Sequence, residues 1–331
     1  MSGGGRHSCN FYDVISIDNL FYAWKKFRKG KRSKDDVARF ELNLEDNIFK
    51  LHEDLISSKW EPDPYIAFYI QDPKLRRIHK ASVRDRVLYQ AVYQCLYKVF
   101  DSGFIHDSYS SRNMKGTHRG VKRFDELARK VTSNYHHKAF TLKCDIRKFF
   151  DSIDHNILLN LIEKKCLDGK LSSLIKKIIF SFENTNNKGL PLGNVTSQIF
   201  ANIYLNELDQ FIKHILKAKY YIRYCDDFII IDESHEQLVE YISALSIFLR
   251  NQLSLEFHPR KVIIRKILQG IDFLGYVSLP HYRVLRTKTK HRMLKRISRE
   301  NLQSYLGMLS HCKSWKIRNS IKILQVLSNS L

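Results

Sequence analysis

The sequence lacks the features that mark several protein classes. Its six cysteines are scattered and form no C-x-x-C pair, so neither a zinc site nor a disulfide framework is predicted, and reduced thiols are expected. It contains no internal repeat and no apolar run of about 18 residues that could form a transmembrane helix. The first residues, M-S-G-G-G-R-H-S, lack the apolar core of a signal peptide. These absences predict a cytoplasmic protein without a membrane partner.

Acidic residues are scarce relative to basic ones. Against 34 Asp and Glu stand 56 Lys and Arg, a formal net charge of +22, together with 17 Tyr and 20 Phe. Lys and Arg release counterions when they neutralise phosphates, and aromatic faces stack on bases, so nucleic acid is the predicted partner. A soluble protein that happens to be basic is the plainer alternative. A membrane-surface role is disfavoured because no single basic amphipathic helix carries the excess.

The basic residues are concentrated at the C-terminal end of the sequence. Residues 281–331 hold 12 Lys and Arg and one acid, Glu300, so this segment carries a net charge of +11, half of the total. Two helical patterns, 288–309 and 315–327, contain most of these residues.

The chain is long and apolar enough to bury a large core. Its 331 residues are 44% hydrophobic, which predicts two or three sub-domains within one compact unit. Apolar residues at three-to-four spacing predict helices over residues 37–58 and 84–100, and a shorter helix is predicted over 18–31. A glycine-containing loop with three basic residues, 109–121, is predicted to open a further helix.

A basic turn follows a predicted strand. Residues 60–70 form an extended entry to that strand, and the polar turn at residues 72–73 leads to Lys74, Arg76 and Arg77. Such a hairpin could clamp a triphosphate. A solvated charged face is the plainer alternative for this run.

Two adjacent carboxylates occupy a predicted hairpin at residues 220–231, Y-Y-I-R-Y-C-D-D-F-I-I-I. Asp226 and Asp227 lie between two β-branched and aromatic runs, which are typical of buried strands. Aspartate also favours turns because its side chain can bond its own backbone, so this pair alone has a structural alternative.

A second acidic stretch, residues 140–154, strengthens the functional interpretation. Its sequence, F-T-L-K-C-D-I-R-K-F-F-D-S-I-D, predicts a strand that ends at Asp145. If that strand neighbours the hairpin, three carboxylates meet, and they repel one another unless cations neutralise them. Hard oxygen ligands suit Mg²⁺, and two such ions can align the oxygens of a nucleotidyl transfer.

These motifs, in this order, resemble those of bacterial reverse transcriptases of the group II intron and retroelement lineage. Tyr224 to Asp227 is similar to the Y-x-D-D box, and Asp145 with I-R-K-F-F-D to the first aspartate motif. Further resemblances are L-P-L-G-N-V-T-S-Q at 190–198, L-S-L-E-F-H-P-R-K at 253–261, F-L-G-Y at 273–276, and finger motifs at 74–86 and 111–120.

The resemblance implies an α+β fold of the right-hand polymerase type. It predicts an N-terminal extension, fingers, a palm built on an antiparallel sheet with helices, and a small basic helical thumb. The predicted boundaries are 1–40 for the extension, 41–139 and 156–193 for the fingers, 140–155 and 194–280 for the palm, and 281–331 for the thumb.

The resemblance also implies a catalytic set. Asp145 and Asp226 would bind two Mg²⁺ ions, with Asp227 nearby and the carbonyl oxygen of Ile146 as a further ligand. Lys261 would be the general acid for pyrophosphate, although an exposed lysine is more often a solvated charge.

Nucleotide and nucleic-acid contacts follow from the same resemblance. Lys74 and Arg76 would hold the triphosphate, Phe150 would be the steric gate against a ribose 2′-hydroxyl, and Leu192 would support the nucleotide. Phe149 is the predicted core aromatic. The predicted nucleic-acid contacts are Arg112, Lys115, Gln198, Tyr224, Cys225, Gly275, Lys288 and Arg292.

Two departures bear on the subtype. Leu192 and Gln198 replace the usual Gln and Pro, and this L-G-x-x-x-S-Q form resembles diversity-generating retroelement enzymes. The Y-C-D-D box, with Cys225, resembles type 2 defence-associated reverse transcriptases, which copy a companion noncoding RNA in antiphage immunity. We expect no self-sufficient mobile element, because the sequence has no HNH-type nuclease, integrase or ribonuclease H stretch.

The predicted function is therefore an RNA-directed DNA polymerase that copies a companion noncoding RNA into cDNA in bacterial antiphage defence. Its expected partners are a structured RNA template, a DNA primer or product, and deoxynucleotide triphosphates. Three alternatives stay open: an error-prone diversifying enzyme, a non-catalytic RNA-binding module, and an RNA-templated RNA polymerase.

Overall fold

A computed structural model of the protein describes residues 9–71, 74–166, 168–182 and 186–321. The predicted turn at Asp72 and Pro73 and the end of the predicted last thumb helix, residues 322–327, lie outside the described residues. The chain forms two compact units. Unit 1 contains Met1–His106, Ile146–Phe211 and Ser246–Glu256, and unit 2 contains Asp107–Asp145, Ile212–Leu245 and Phe257–Leu331.

The described residues form both helices and strands. The α-helices are α1 Phe11–Ile15, α2 Ile17–Phe27, α3 Asp35–Leu42, α4 Leu44–Ile56, α5 Val83–Phe100, α6 Thr117–Val131, α7 Phe149–Ser152, α8 His155–Glu163, α9 Gly169–Phe180, α10 Val195–Gln210, α11 His235–Leu253, α12 Thr287–Arg296 and α13 Leu302–Leu309. The strands are β1 Ile66–Gln71, β2 Leu75–Lys80, β3 Phe140–Asp145, β4 Tyr220–Tyr224, β5 Asp227–Asp232, β6 Ile263–Lys266, β7 Ile271–Phe273, β8 Tyr276–Leu279 and β9 Tyr282–Leu285.

Unit 1 is mainly helical. Helix α5 begins at Ser82, whose hydroxyl accepts a hydrogen bond from the Asp85 amide, and one of its faces is fully buried. Helix α10 packs against α5 and is buried on most sides, including Asn202 and Asp209. It is therefore the central helix of the unit.

Two sequence predictions about unit 1 need correction. The helix predicted over residues 37–58 is broken at Asn43, whose φ of −120° and ψ of 46° separate α3 from α4. Cys9 and Cys95, predicted to be reduced, pair as a disulfide with Cα atoms 5.8 Å apart, a separation that a disulfide spans. Residues 86 apart in sequence give no spacing pattern that could have predicted this pair.

The predicted basic hairpin is present in unit 1 as the antiparallel pair β1–β2. Ile66 lies opposite Lys80 and Gln71 opposite Leu75. All six residues of β1 are exposed, so this two-stranded ribbon has no buried face along that strand.

Unit 2 is built on two antiparallel sheets. The first has the strand order β4-β5-β3-β6 and the second β7-β8-β9. Helix α6 packs on the first sheet, where Phe124 and Leu127 meet Ile222 and Ile229 in one buried cluster. Each large apolar side chain so buried contributes about 1.5–3 kcal/mol, which fixes the register of these strands. The predicted α+β fold is confirmed.

The basic C-terminal segment packs within unit 2. Met293, Leu309 and Ile317 share a buried cluster with Val121 of α6 and Tyr276 of β8. The helix predicted over 288–309 is instead two helices, α12 and α13, because Ile297 is extended with ψ 131°. A further helical segment occupies residues 315–321.

No helix within the described ranges is both long and apolar enough to cross a membrane.

Candidate active site

The two acidic stretches lie on neighbouring strands of unit 2. Strands β3 and β5 pair antiparallel, and Asp145 lies directly opposite Asp227. Strand β4 pairs with the other edge of β5, so Cys225 and Asp226 form the two-residue turn between them. The predicted neighbouring arrangement of the three carboxylates is therefore present.

The turn that carries Asp226 has an unusual backbone. Cys225 adopts a φ of 56°, the left-handed region that few non-glycine residues occupy. The fully buried Arg223 donates a hydrogen bond to the Cys225 carbonyl at 3.2 Å, and this contact supports the turn. Burial raises the pKa of the Cys225 thiol to about 12, so this cysteine is a neutral thiol rather than a thiolate.

Burial and repulsion raise the pKa values of Asp226 and Asp227. Burial raises the pKa of Asp227 to about 6, with Lys143 opposing the shift and Asp145 and Asp226 adding to it. The pKa of Asp226 is also raised, first by burial and then by Asp145. The Asp227 Oδ1 atom is buried and has no hydrogen-bond partner among the described residues. Asp227 therefore keeps one buried acceptor oxygen that a bound cation could satisfy.

Two lysines approach the carboxylates. The Lys261 ammonium lies 2.7 Å from Asp145 Oδ1. Lys143 lies 3.4 Å from Asp227 Oδ2 and also donates to the Asp272 carbonyl at 2.7 Å. Sequence reasoning missed Lys143. The available signal was its position two residues before Asp145, because alternate residues of a strand share a face.

The donor chemistry of the cluster suits Mg²⁺. In the part of the chain that the structure describes, no three His, Cys, Asp or Glu side chains are arranged to hold a metal ion as they stand. All three donors are nevertheless carboxylates, the ligand class that Mg²⁺ prefers, and the unpartnered Asp227 oxygen is buried. Asp145, Asp226 and Asp227 therefore fit a hard cation.

Unit 1 contains a basic cavity of about 820 Å³. Its walls include Arg76 and Leu192, two of the predicted nucleotide-binding residues, together with Arg147 and Lys148. Arg77 and His79 add further positive or hydrogen-bonding groups, and Asp151 and Glu256 are its carboxylates. The size and charge of this cavity suit a nucleotide.

Backbone contacts hold the two walls of this cavity together. The His79 amide donates to the Leu192 carbonyl at 3.0 Å, which connects β2 with the segment before α10. Gly193 follows with a φ of 114°, and a Cβ there would lie 2.9 Å from Ile78 Cγ2. Glycine is thus required for the close approach.

Two predicted nucleotide-binding residues do not line the cavity. Lys74 is exposed at the start of β2, and Phe150 is half-buried beside the buried Phe149, with ring centroids 5.3 Å apart. The Leu190 amide, whose residue does line the cavity, donates to the Phe150 carbonyl at 2.8 Å. Phe149 is the core aromatic, as predicted.

The predicted nucleic-acid contacts lie in both units. Gln198 is exposed on α10 in unit 1. In unit 2, the Tyr224 hydroxyl accepts from Thr117 Oγ1 at 3.2 Å, and Gly275 has a φ of 90° in the turn between β7 and β8. Lys288 is exposed on α12.

Three more of these residues lie in unit 2. Arg112 donates to the Ser108 carbonyl at 3.2 Å, and the Lys115 ammonium lies 4.8 Å from the Tyr109 ring centroid. Arg292 is half-buried on α12. The roles predicted for these residues and for Gln198, Tyr224, Cys225, Gly275 and Lys288 stay predictions.

The sequence matches one protein family over most of its length. A family model described as reverse transcriptase (RNA-dependent DNA polymerase) matches residues 71–278, a range that includes the three carboxylates and Lys261. This range is more than half of the 331 residues.

Individual relatives include two bacterial proteins, one of them encoded by a group II intron, and a yeast intron protein. Protein YkfC of Escherichia coli K12 is 24% identical in an alignment of 318 positions, with 83% of this chain and 81% of YkfC covered. Group II intron-encoded protein LtrA of Lactococcus lactis is 25% identical, with 79% of this chain and 54% of LtrA covered. A putative COX1/OXI3 intron 2 protein of Saccharomyces cerevisiae is 21% identical, with 80% of this chain and 38% of that protein covered. The chain thus spans about half the length of LtrA and less than half the length of the yeast protein.

Proposed function

Because the chain belongs to the reverse transcriptase (RNA-dependent DNA polymerase) family, we propose that it extends a primer on an RNA template at the carboxylates of Asp145, Asp226 and Asp227. The observation that carries this proposal is the pairing of β3 with β5, in which Asp145 lies opposite Asp227. Buried carboxylates with raised pKa values are uncommon unless a cation or a proton is used there.

The proposed reaction is a nucleotidyl transfer. The primer 3′-hydroxyl oxygen forms a bond to the α-phosphorus of a deoxynucleotide triphosphate, the hydroxyl proton passes to solvent water, and the bond from that phosphorus to the pyrophosphate oxygen breaks. Two Mg²⁺ ions, held by Asp145, Asp226 and the Ile146 carbonyl, would neutralise charge on the attacking and leaving oxygens. Lys261, now paired with Asp145, is the proposed proton donor to pyrophosphate.

Arg76 and Leu192 give the basic cavity of unit 1 its proposed role in nucleotide binding. The Arg76 guanidinium can grip two phosphate oxygens at once, and Lys74 would add charge beside it. Leu192 cannot hydrogen-bond a base or sugar, so discrimination there would rest on shape. Phe150 is the proposed gate that excludes a 2′-hydroxyl and favours a DNA product.

The template of the proposed enzyme is a structured noncoding RNA. The net charge of +11 over residues 281–331 supports a thumb that contacts the RNA–DNA duplex through residues such as Lys288 and Arg292. The predicted thumb is short, so the structured RNA itself would provide part of the contacts that hold the template on the enzyme. Recovery of active protein free of any RNA from its host cells would contradict this part of the proposal.

The proposed biological role is antiphage defence in a bacterium. The Y-C-D-D box, with Cys225 in the turn, supports it through resemblance to defence-associated enzymes. Leu192 and Gln198 support a second candidate, an error-prone enzyme that diversifies a gene. A lone structured RNA gene beside the coding sequence is expected for defence, whereas a variable-region repeat is expected for diversification. The predicted cytoplasmic location stays a prediction.

Primer extension with purified protein tests the activity. We expect incorporation of deoxynucleotides on a primed RNA template, and a loss of at least about 10³-fold in rate, about 4 kcal/mol of barrier, for Asp226→Asn. Asp232→Asn is the matched control, since Asp232 lies at the opposite end of β5. Equal activity of Asp226→Asn and the control would exclude catalysis at the hairpin.

Two outcomes would select an alternative function. Absence of any incorporation by the unmodified protein, together with tight RNA binding, would favour a non-catalytic module. Efficient incorporation of ribonucleotides would favour an RNA polymerase and would remove the gate role from Phe150. Sequencing of the RNA and cDNA that co-purify from cells identifies the template.

A further inference from the structure

Unit 2 contains a second cavity, and its lining does not include Lys288 or Arg292, the thumb residues proposed to contact the duplex. Its volume is about 460 Å³, and it lies between α6, the β8–β9 turn and residues 310–313 that follow α13. It shares no lining residue with the carboxylate cluster. We call it the α6–β9 pocket and define it by His118, Lys122, Tyr282, Arg283, His311 and Lys313.

The α6–β9 pocket has a surplus of positive charge. Asp125 is the carboxylate in its lining, and Arg283 already pairs with that carboxylate. The Lys122 side chain is exposed, and its ammonium has no hydrogen bond or ion pair with any described residue. The Lys313 ammonium lies 5.4 Å from the Tyr282 ring centroid and has no carboxylate partner among the described residues. Two lysines are therefore available to an anion.

Flat rings lie beside these lysines. The imidazoles of His118 and His311 stack with centroids 3.8 Å apart and planes inclined by 19°. His311 is exposed, and Tyr282 is 48% exposed, so both rings are accessible from solvent. Because aromatic faces bind unpaired bases by stacking, this combination suits a nucleotide chain better than an acidic peptide.

The walls of the pocket are fixed by Arg283. Its guanidinium holds Asp125 of α6 and donates to the His311 carbonyl at 3.2 Å, and its own carbonyl accepts from the Lys313 amide at 2.8 Å. Arg283 thus connects strand β9 with helix α6 and with residues 310–313. The pKa of His118 is lowered, first by burial and then by the positive charge of His311 and Arg283, so its ring is a neutral stacking surface.

We propose that the α6–β9 pocket binds single-stranded nucleic acid, with phosphates on Lys122 and Lys313 and a base against His311 or Tyr282. A duplex is disfavoured because its bases are stacked inside the helix and cannot reach these rings. The strand could come from the RNA partner or from newly made DNA, since both present phosphates and bases. This site goes beyond polymerisation and holds whether or not the chain incorporates nucleotides.

Fluorescence anisotropy on the full chain tests the pocket. The probes are fluorescein-labelled oligouridylate and oligodeoxythymidylate of about 12 nucleotides, a length within the site sizes of single-strand binders. Binding is measured over a range of salt concentrations with unlabelled primed RNA–DNA duplex in excess and without deoxynucleotides. The duplex occupies the polymerase's own duplex site.

The test variant is Lys122→Ala with Lys313→Ala. We expect its dissociation constant to rise on the order of tenfold at low salt and its salt slope to fall by about 1.4, because each phosphate contact contributes about 0.7 on a single strand. Lys130→Ala with Lys316→Ala is the matched control, since these exposed lysines lie on α6 and in the 315–321 helix but outside the pocket. Equal slopes for the two double variants would overturn the proposal.

Substitution of His311 separates the contribution of base stacking to affinity from the contribution of the lysine charges. His311→Ala is expected to weaken binding about fivefold, the effect of about 1 kcal/mol of stacking, without changing the salt slope. No change in affinity would remove the base-stacking part of the proposal. Tighter binding of oligouridylate identifies RNA as the natural strand, and tighter binding of oligodeoxythymidylate identifies the DNA product.

Failure of this inference is distinguishable from failure of the proposed function. Asp226→Asn should abolish extension and keep the full salt slope, whereas the Lys122 and Lys313 double variant should extend a bound duplex at the normal rate. A double variant that loses both extension and duplex binding would place the lysines in the polymerase's duplex site and overturn the separate pocket.

Discussion

The two hairpins that carry the candidate functional residues differ in how they are held. In unit 2, strand β5 of the β4–β5 hairpin also pairs with β3, and Ile229 and Ile230 of β5 are fully buried. In unit 1, β1–β2 is a two-stranded ribbon, and Ile66 is 66% exposed. Isolated two-stranded ribbons are marginally stable, so the first hairpin suits chemistry that needs fixed carboxylates. The second suits contacts that adjust to a bound nucleotide.

The largest expected effect tests the rigidity of the first hairpin. Ile229→Ala should lower the free energy of unfolding by about 2–5 kcal/mol, because it opens a cavity between β5 and α6. Denaturant titration measures this loss. Ile66→Ala, the matched change in the exposed ribbon, should cost less than about 0.5 kcal/mol. Similar losses at both positions would contradict the contrast between the hairpins.

A smaller effect is expected where the ribbon contacts the rest of unit 1. Gly193→Ala should destabilise the protein by about 1–3 kcal/mol, because φ is 114° and the new Cβ would meet Ile78. It should also raise KM for deoxynucleotides, since the adjacent Leu192 lines the basic cavity. Gly307→Ala is the control, because its added methyl group meets open space within helix α13. A neutral Gly193→Ala would show that the close approach is not needed.

Lys143 is expected to tune the carboxylates by charge. Lys143→Met removes the cation 3.4 Å from Asp227, so the pKa of Asp227 should rise further and the acidic limb of the pH–rate profile should move to higher pH. The maximal rate at high pH should fall only slightly. Lys266→Met, at the far end of the same sheet, should leave the profile unchanged. An unshifted profile for Lys143→Met would remove Lys143 from the site.

The smallest effect is the pH dependence of stability. The pKa of Asp227 in the folded protein is about 6, above its usual value of 3.8, so its contribution favours folding at low pH and is lost as the pH rises through about 6. Without divalent cations, Asp227→Asn should therefore raise Tm at about pH 7.5 and have little effect at about pH 4. Added Mg²⁺ should reduce this advantage. An equal change at both pH values would contradict the raised pKa.

The sequence predicted the buried hairpin better than the basic one. Alternating apolar residues before Asp145 and apolar runs on both sides of Asp226 predict buried strands, and the resemblance predicts that these strands are neighbours. Lys143 was missed because strand sequence does not show which partner its ammonium reaches. Lys74 and Phe150 do not line the cavity. The position of Phe150 depends on the left-handed backbone of Lys148, with φ 43°, which spacing in the sequence does not show. The family match confirms the predicted enzyme class, an RNA-directed DNA polymerase.

The central claim is that Asp226 is needed for the nucleotidyl transfer step and that Arg76 binds the incoming nucleotide. Single-turnover primer extension on an RNA template tests it most directly. Asp226→Asn should reduce the maximal rate about 10³-fold or more. Arg76→Ala should raise the apparent Kd for deoxynucleotide about tenfold and leave the maximal rate nearly unchanged. A normal maximal rate for Asp226→Asn, or a loss of rate alone for Arg76→Ala, would contradict the account.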